Sequence, residues 1–252
     1  MTEIAPDLMP YVEKAEFPPW LVDQIKTLKV TGLNLKGYGS PGFSSIEAGV
    51  IMYEIAKKDL SVASFLAVHQ FIGMAVIDAL GDEEQKERFI SKGMTFDKIF
   101  SFGLTEPENG SDASGLKTSA RKVEGGWILN GQKRWIGNST FGDCIVWARN
   151  LNDGNRVQAF VVEKGSPGFT AVAMQGKMAL RIVQNGEITM TDCFVPDRNK
   201  LTHAKDFATG TNKILEASRL FICWMGAGVA AGACEAALKY TTQRVQFGKP
   251  IA

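Results

Sequence analysis

The sequence predicts a multidomain α+β protein: a helical N-terminal domain, an antiparallel β middle domain, and the start of a C-terminal helical bundle. Three observations predict it. Apolar residues recur at helical spacing over residues 1–98. Short apolar runs separated by turn pairs fill residues 99–203, and the helical pattern returns over 204–252. With 252 residues, 45% of them hydrophobic, one to three domains can each bury a core.

Taken in order, residues 1–15 carry acids and neither a basic nor an apolar leader region, so no signal peptide is expected there. Gly37, Gly39, Pro41 and Gly42 mark a loop, and a helix is expected from about 44 to 57. Leu60–Leu80 is apolar almost all round, the pattern of a fully buried helix, with Gly81 as its stop. Asp82 followed by Gln85 reads as the capping box of the next helix. In the middle zone, residues 127–129, 144–147 and 159–162 are strand-like runs. Gly125-Gly126, Asn130-Gly131, Asp153-Gly154 and Asn185-Gly186 read as hairpin or tight-turn pairs. Ile188, Met190 and Asp192 alternate with Thr189 and Thr191, as on a half-buried strand. From about Phe207 a single long helix follows. Its apolar run, 220–234, is shorter than the roughly 20 residues a bilayer requires, and Gly226, Gly228 and Gly232 suit close packing. No helix follows it, so a partner chain or further residues are expected to cover it.

Composition excludes several functions. Lys plus Arg (28) nearly balances Asp plus Glu (27), so nothing favours nucleic acid or an anionic membrane as partner. Cys144, Cys193, Cys223 and Cys234 are widely spaced, and His69 and His203 are the two histidines. No metal site is expected; free, mostly buried thiols in a reducing compartment are.

Two stretches carry chemistry. Residues 102–112 run from a strand into a loop where Gly110 permits close backbone approach and the hydroxyls of Thr105 and Ser111 can meet a cofactor or a phosphate-bearing ligand. A plain turn is the alternative. Residues 130–139 read as a hairpin turn entering a strand with Trp135, whose flat face can stack on a planar ring or simply fill a core.

In this order and spacing the two stretches resemble the middle-domain signatures of the acyl-CoA dehydrogenase and oxidase family, Leu-Thr-Glu-Pro-x-x-Gly-Ser-Asp and Asn-Gly-x-Lys-x-Trp-Ile. Arg244-Val245-Gln246-Phe247-Gly248 is similar to its Arg-x-x-Phe-Gly element. Residues 14–18, 112–116 and 135–139 most resemble the plant-type peroxisomal short-chain acyl-CoA oxidase branch, near the glutaryl-CoA dehydrogenases.

The resemblance implies FAD bound between the β-domain and a C-terminal four-helix bundle, in a homodimer or homotetramer when full length. Phe102, Leu104, Thr105, Gly110, Ser111, Trp135, Ile136 and Gly137 match flavin-contacting positions. Ser111 also matches a position near the CoA thioester arm, and Arg219 one near the CoA entrance. Arg244 and Phe247 match positions that reach the FAD of a neighbouring subunit, where a guanidinium pairs with pyrophosphate. The implied reaction is FAD-dependent α,β-oxidation of a short-chain acyl-CoA to the trans-2-enoyl-CoA. Gly137, where dehydrogenases commonly carry Thr, favours an oxidase, with a dehydrogenase passing electrons to a flavoprotein as the alternative; the resemblance implies the peroxisome, with the mitochondrial matrix as the alternative. Ala63 stands where glutaryl-CoA dehydrogenases carry Arg, which argues for a plain aliphatic acyl chain over a dicarboxylic one.

The family's Glu base belongs to a Tyr-Glu-Gly-type segment downstream of Arg-x-x-Phe-Gly, so it is expected beyond residue 252 and the chain is read as C-terminally truncated. A few relatives carry the base at the position of Ser218, and Glu216 lies two residues away on another helix face, so no residue here is named as catalytic. The chain alone is expected not to turn over acyl-CoA; an inactive flavin-binding or interaction fragment is a further reading.

Overall fold

A computed structural model describes residues 5–252; residues 1–4, the start of the stretch read as carrying no leader, lie outside the described residues. The helical part comprises α1 (Ala5–Lys14), α2 (Leu21–Leu28), α3 (Ser45–Lys58), α4 (Leu60–Ala67), α5 (Ala75–Leu80) and α6 (Glu83–Met94). Two reciprocal caps set its frame. The Ser44 hydroxyl accepts from the Glu47 N–H while the Glu47 carboxylate accepts from the Ser44 N–H, and Asp82 with Gln85 repeats the arrangement at the start of α6.

The buried segment Leu60–Leu80 is not one uninterrupted α-helix. Val68–Met74 winds as a π-helix between α4 and α5. Here the segment lies against the first strand: His69 accepts from the Phe100 N–H through Nδ1 at 3.1 Å and donates from Nε2 to the Gly93 carbonyl at 3.0 Å. A Cβ at Gly73 would come within 2.6 Å of the Phe100 Cβ. Apolar periodicity carries no trace of such a wider turn, because the buried faces stay apolar.

The strands are β1 (Phe100–Gly103), β2 (Ser119–Val123), β3 (Gly126–Ile136), β4 (Asp143–Asn150), β5 (Arg156–Val162), β6 (Phe169–Ala173) and β7 (Gly186–Pro196). They form one sheet in the order β1-β4-β2-β3-β7-β6, with β5 on the other edge of β4. The pairs β2–β3, β3–β7, β4–β5 and β6–β7 are antiparallel as expected, while β1 and the start of β2 run parallel to β4. Cys144, Val146 and Ala148 of β4 face a core made by the sheet alone. Ile145 and Trp147 face a second core shared with Phe89 and Phe100, which explains why this strand reads as continuously apolar.

Gly125-Gly126 does turn the β2–β3 hairpin, and Asp153-Gly154 lies between β4 and β5. Asn130-Gly131 does not make a turn; it is a bulge inside β3. A Cβ at Gly131 would come within 2.5 Å of Thr118, and the Asn130 side chain accepts from the Asp192 N–H at 2.8 Å. Asp192 answers with φ 48°, so the alternation of β7 breaks there and resumes with Cys193 inside. Asn185-Gly186 is likewise no hairpin but the entry to β7.

The last helix, α7 (Lys213–Thr241), follows a short π turn at Ala208–Asn212. One side of it rests on α3, upstream, and much of the rest of its surface is uncovered by the described residues. Cβ atoms at Gly228 and Gly232 would come within 2.4 Å of the Tyr53 carbonyl and 2.0 Å of the Lys57 carbonyl, so only glycine allows this approach. Leu220, Ile222, Leu238 and Tyr240 remain exposed. Cys223 and Cys234 are exposed too, correcting the expectation of mostly buried thiols; Cys144 and Cys193 are buried. A hairpin of β8 (Val245–Gln246) and β9 (Lys249–Pro250) closes the chain through Phe247 and Gly248, both at positive φ.

Candidate functional site

The chain leaves β1 through Leu104 and Thr105. The carbonyl of Thr105, rather than its hydroxyl, accepts from the Arg134 N–H at 2.8 Å, which sets the two motif stretches side by side. At this point the register of β3 against β7 shifts between Lys133 and Ile136. Trp135 and Asn138 adopt φ 66° and 65°, a region that costs non-glycine residues energy and persists only where neighbours hold it. The neighbours are identifiable. Asn138 donates its amide to the carbonyls of Phe65 and Phe100, the Ser139 hydroxyl donates to Ile136, and Asn185 Nδ2 donates to the Trp135 carbonyl at 3.0 Å. The irregularity turns the Trp135 indole outward, 54% exposed, so this tryptophan is a surface platform and not core filling.

Behind the platform lies a fully buried ion pair that both motifs contain but whose role no spacing suggests. Lys133 Nζ donates to Glu106 Oε1 at 2.9 Å and to the Leu104 carbonyl at 3.1 Å. Glu106 also accepts from the Lys117 N–H, the Thr118 N–H and the Thr118 hydroxyl. Burial pushes the Glu106 carboxyl up, but the Lys133 ammonium and the three donors outweigh it and hold the group below the usual carboxylate range. Without the β3 irregularity Lys133 and Trp135 would face the same side; with it one is enclosed and the other exposed. Lys133 stands between Gln132 and Arg134 in the sequence, so local polarity gave no signal that it alone would be enclosed.

The expected site residues divide into groups. Thr105 is joined to the Trp135 segment through the Arg134 N–H, and Gly137 follows two residues further on. Phe102, Leu104 and Ile136 flank them, but their side chains are core, so only their backbone can face a ligand. Gly110 and Ser111 are exposed on the loop beyond Glu106, with open space beside Gly110. A Cβ at Gly137 would meet Val68 at 3.4 Å and Val183 at 3.6 Å, so the space its missing side chain leaves is bounded by two valines. Trp135 borders a groove of about 460 Å³ lined by Gln175, Lys177, Leu180 and Asn185. Arg219 is exposed on α7, and Arg244 and Phe247 lie at the terminal hairpin, whose backbone bonds run within itself and to the end of α7. Ser218 donates to the Leu215 carbonyl, Glu216 is exposed, and Ala63 is fully buried in α4.

These residues suit a flat cofactor. An exposed indole lies two residues before a glycine, with left-handed backbone held by hydrogen bonds behind it. Comparison with known proteins points the same way. Residues 1–97, 101–193 and 209–252 match the N-terminal, middle and C-terminal domains of acyl-CoA dehydrogenase. The chain is 34% identical over 254 residues to an acyl-CoA dehydrogenase of Bacillus subtilis, covering 99% of this chain and 67% of that protein. It is 31% identical over 250 residues to benzylmalonyl-CoA dehydrogenase of Aromatoleum aromaticum, covering 98% and 66%. Its fold superposes on glutaryl-CoA dehydrogenase of Mycobacterium smegmatis in complex with FADH2 with a TM-score of 0.93 at 32% identity, covering 99% and 64%. The chain thus spans about two thirds of the length of the relatives it matches.

Proposed function

The chain belongs to the acyl-CoA dehydrogenase family, and we propose that it forms the FAD-binding side of an enzyme that oxidises a CoA thioester at its Cα–Cβ bond. The observation that carries this reading is the Arg134–Thr105 hydrogen bond, which assembles both motifs around an outward-facing Trp135. Bound FAD would accept the β-hydrogen of the substrate as hydride. Trp135 would support the ring system by its flat face, and Thr105 and Ser111 would donate hydroxyls to polar edges of cofactor or thioester. Arg219 would meet CoA phosphate, and Arg244 with Phe247 would act at the FAD of a neighbouring subunit in a homodimer or homotetramer. The apolar surroundings of Ala63 support a plain aliphatic acyl group over a dicarboxylic one. We assign the α-proton acceptor to no residue of this chain; Ser218 cannot serve.

The test is a titration of the purified chain with FAD, followed by flavin absorbance and tryptophan quenching. Saturable binding that Trp135→Ala weakens is the expected result; no flavin binding by the wild-type chain refutes the reading. The same preparation is expected to form no enoyl-CoA from butyryl-CoA.

A dehydrogenase that passes electrons to a flavoprotein is supported by a solved relative, 29% identical with a TM-score of 0.91, described under the electron transferring flavoprotein of Acidaminococcus fermentans. A second reading, oxygen as acceptor in a peroxisomal oxidase, is favoured by Gly137, which leaves no side chain between Val68 and Val183. Peroxide release measured against acceptor reduction, by the enzyme carrying this chain, separates the two.

A further inference from the structure

The loop at 175–185 contains no regular element, yet it is tied on three sides. Within the loop, Lys177 Nζ donates to the Leu180 carbonyl at 2.8 Å, to Asn185 Oδ1 at 2.7 Å and to the Val183 carbonyl, curling the segment around one ammonium. Toward the cofactor surface, Asn185 donates to the Trp135 carbonyl, and Val183 lies where a side chain on Gly137 would reach. Toward the N-terminus, Arg181 donates from Nε to the Val12 carbonyl at 2.8 Å, from one terminal nitrogen to the Glu13 carbonyl at 2.8 Å, and from the other back to Lys177 at 2.7 Å. Gln184 Nε2 adds a bond to the Ala15 carbonyl at 3.0 Å. Val12 and Glu13 lie in the last turn of α1, where the macrodipole favours a cation; the Val12 carbonyl also accepts from the Ala15 N–H at 3.3 Å. Only a guanidinium presents donors in a planar fork that reaches all three carbonyls at once. Ile182, between these ties, is sealed in the helical core with Phe65 and Leu66.

We propose that Arg181 is a positioning residue for the cofactor surface: by capping α1 it holds the 175–185 loop where Asn185 fixes Trp135 and Val183 bounds the space beside Gly137. The inference rests on the flavin reading above and adds that cofactor affinity depends on α1, a helix outside both motifs.

The experiment uses the 252-residue chain in four forms beside wild type: Arg181→Ala, Arg181→Lys, Asn185→Ala and, as a control, Arg156→Ala, whose side chain pairs with Asp153 at the surface. Hydrogen exchange without FAD and FAD affinity are both measured well below the unfolding temperature. Arg181→Ala is expected to strip protection from residues 5–15 and 177–185 together and to weaken FAD binding by about tenfold, a usual size for coupling between sites. Arg181→Lys, which keeps the charge but not the fork, moves both readouts the same way by less and carries the test should the alanine variant not fold. Asn185→Ala cuts the link after the loop, so affinity falls while α1 stays protected; Arg156→Ala changes neither. Unchanged affinity in Arg181→Ala while wild type binds FAD overturns the proposal. So does loss of protection in α1 with the loop still protected. If wild type binds no FAD, the flavin reading fails, and the exchange pattern alone decides whether Arg181 couples α1 to the loop.

Discussion

Lys133→Met tests the buried ion pair behind the platform. Methionine keeps the length of the stem and removes the charge, leaving the Glu106 carboxylate enclosed with its three remaining donors and the Leu104 carbonyl without its ammonium. Removing one partner of a buried pair costs about 3–5 kcal/mol. Protonation of Glu106 offers an escape that bounds this cost: starting from an ordinary pKa of about 4.3, it takes about 3.7 kcal/mol at pH 7 and about 1 kcal/mol at pH 5. In the variant, the folded-state pKa of Glu106 rises above its unfolded value, so stability is retained at low pH and lost as pH rises. In wild type the folded-state value is depressed, so the pair's contribution is present above the unfolded pKa and nearly constant between pH 5 and 7. The expected destabilisation is therefore about 3 kcal/mol at pH 7, shrinking toward about 1 kcal/mol at pH 5. Urea unfolding at pH 5, 6 and 7, followed by tryptophan fluorescence, measures it. A penalty equal at pH 5 and 7, or one well under about 1 kcal/mol at pH 7, refutes the reasoning. The double variant Glu106→Gln/Lys133→Met, which removes both charges, is expected to recover most of the loss.

Three further outcomes follow from the fold. Burial holds the His69 imidazole down to about 4, so stability is full above the unfolded value near 6.5 and falls as pH drops toward 4. His69→Gln is expected to remove about 3 kcal/mol of that acid sensitivity, read from unfolding at pH 7 and pH 4. On α7, Gly232→Ala places a Cβ within 2.0 Å of the Lys57 carbonyl and is expected to cost about 1–3 kcal/mol. Gly226→Ala, facing open space, is expected to gain about 0.5–1 kcal/mol, and chemical denaturation that ranks the two alike contradicts the α3–α7 packing. A thiol reagent should label Cys223 and Cys234 in the native protein, while Cys144 and Cys193, raised to about 12 and about 11 by burial, react only after unfolding.

The features legible in the sequence were the local ones. Asp82 announces a helix start because a cap depends on residues three apart, and Gly125-Gly126 announces a hairpin because the turn is made of those residues. The motif residues around Thr105 and Trp135 were legible as a pattern, although their meeting through Arg134 was not. Asn130-Gly131 reads as a turn for the same local reason and is a bulge instead, because Thr118 and Asp192 close on it from distant strands. Likewise, the apolar pattern of Leu60–Leu80 does not reveal its π turn, which His69 and Gly73 make against Phe100.

By itself, then, the sequence determined the helical, β, helical order, the capped start of α6 and the two motifs, since each depends on neighbours along the chain. Only the tertiary structure decided that Trp135 faces outward while Lys133 is sealed against Glu106, that α7 rests on α3, and that Arg181 joins α1 to the 175–185 loop. Burial, left-handed backbone and long-range hydrogen bonds are set by which surfaces exclude water together, and sequence spacing does not encode that pairing.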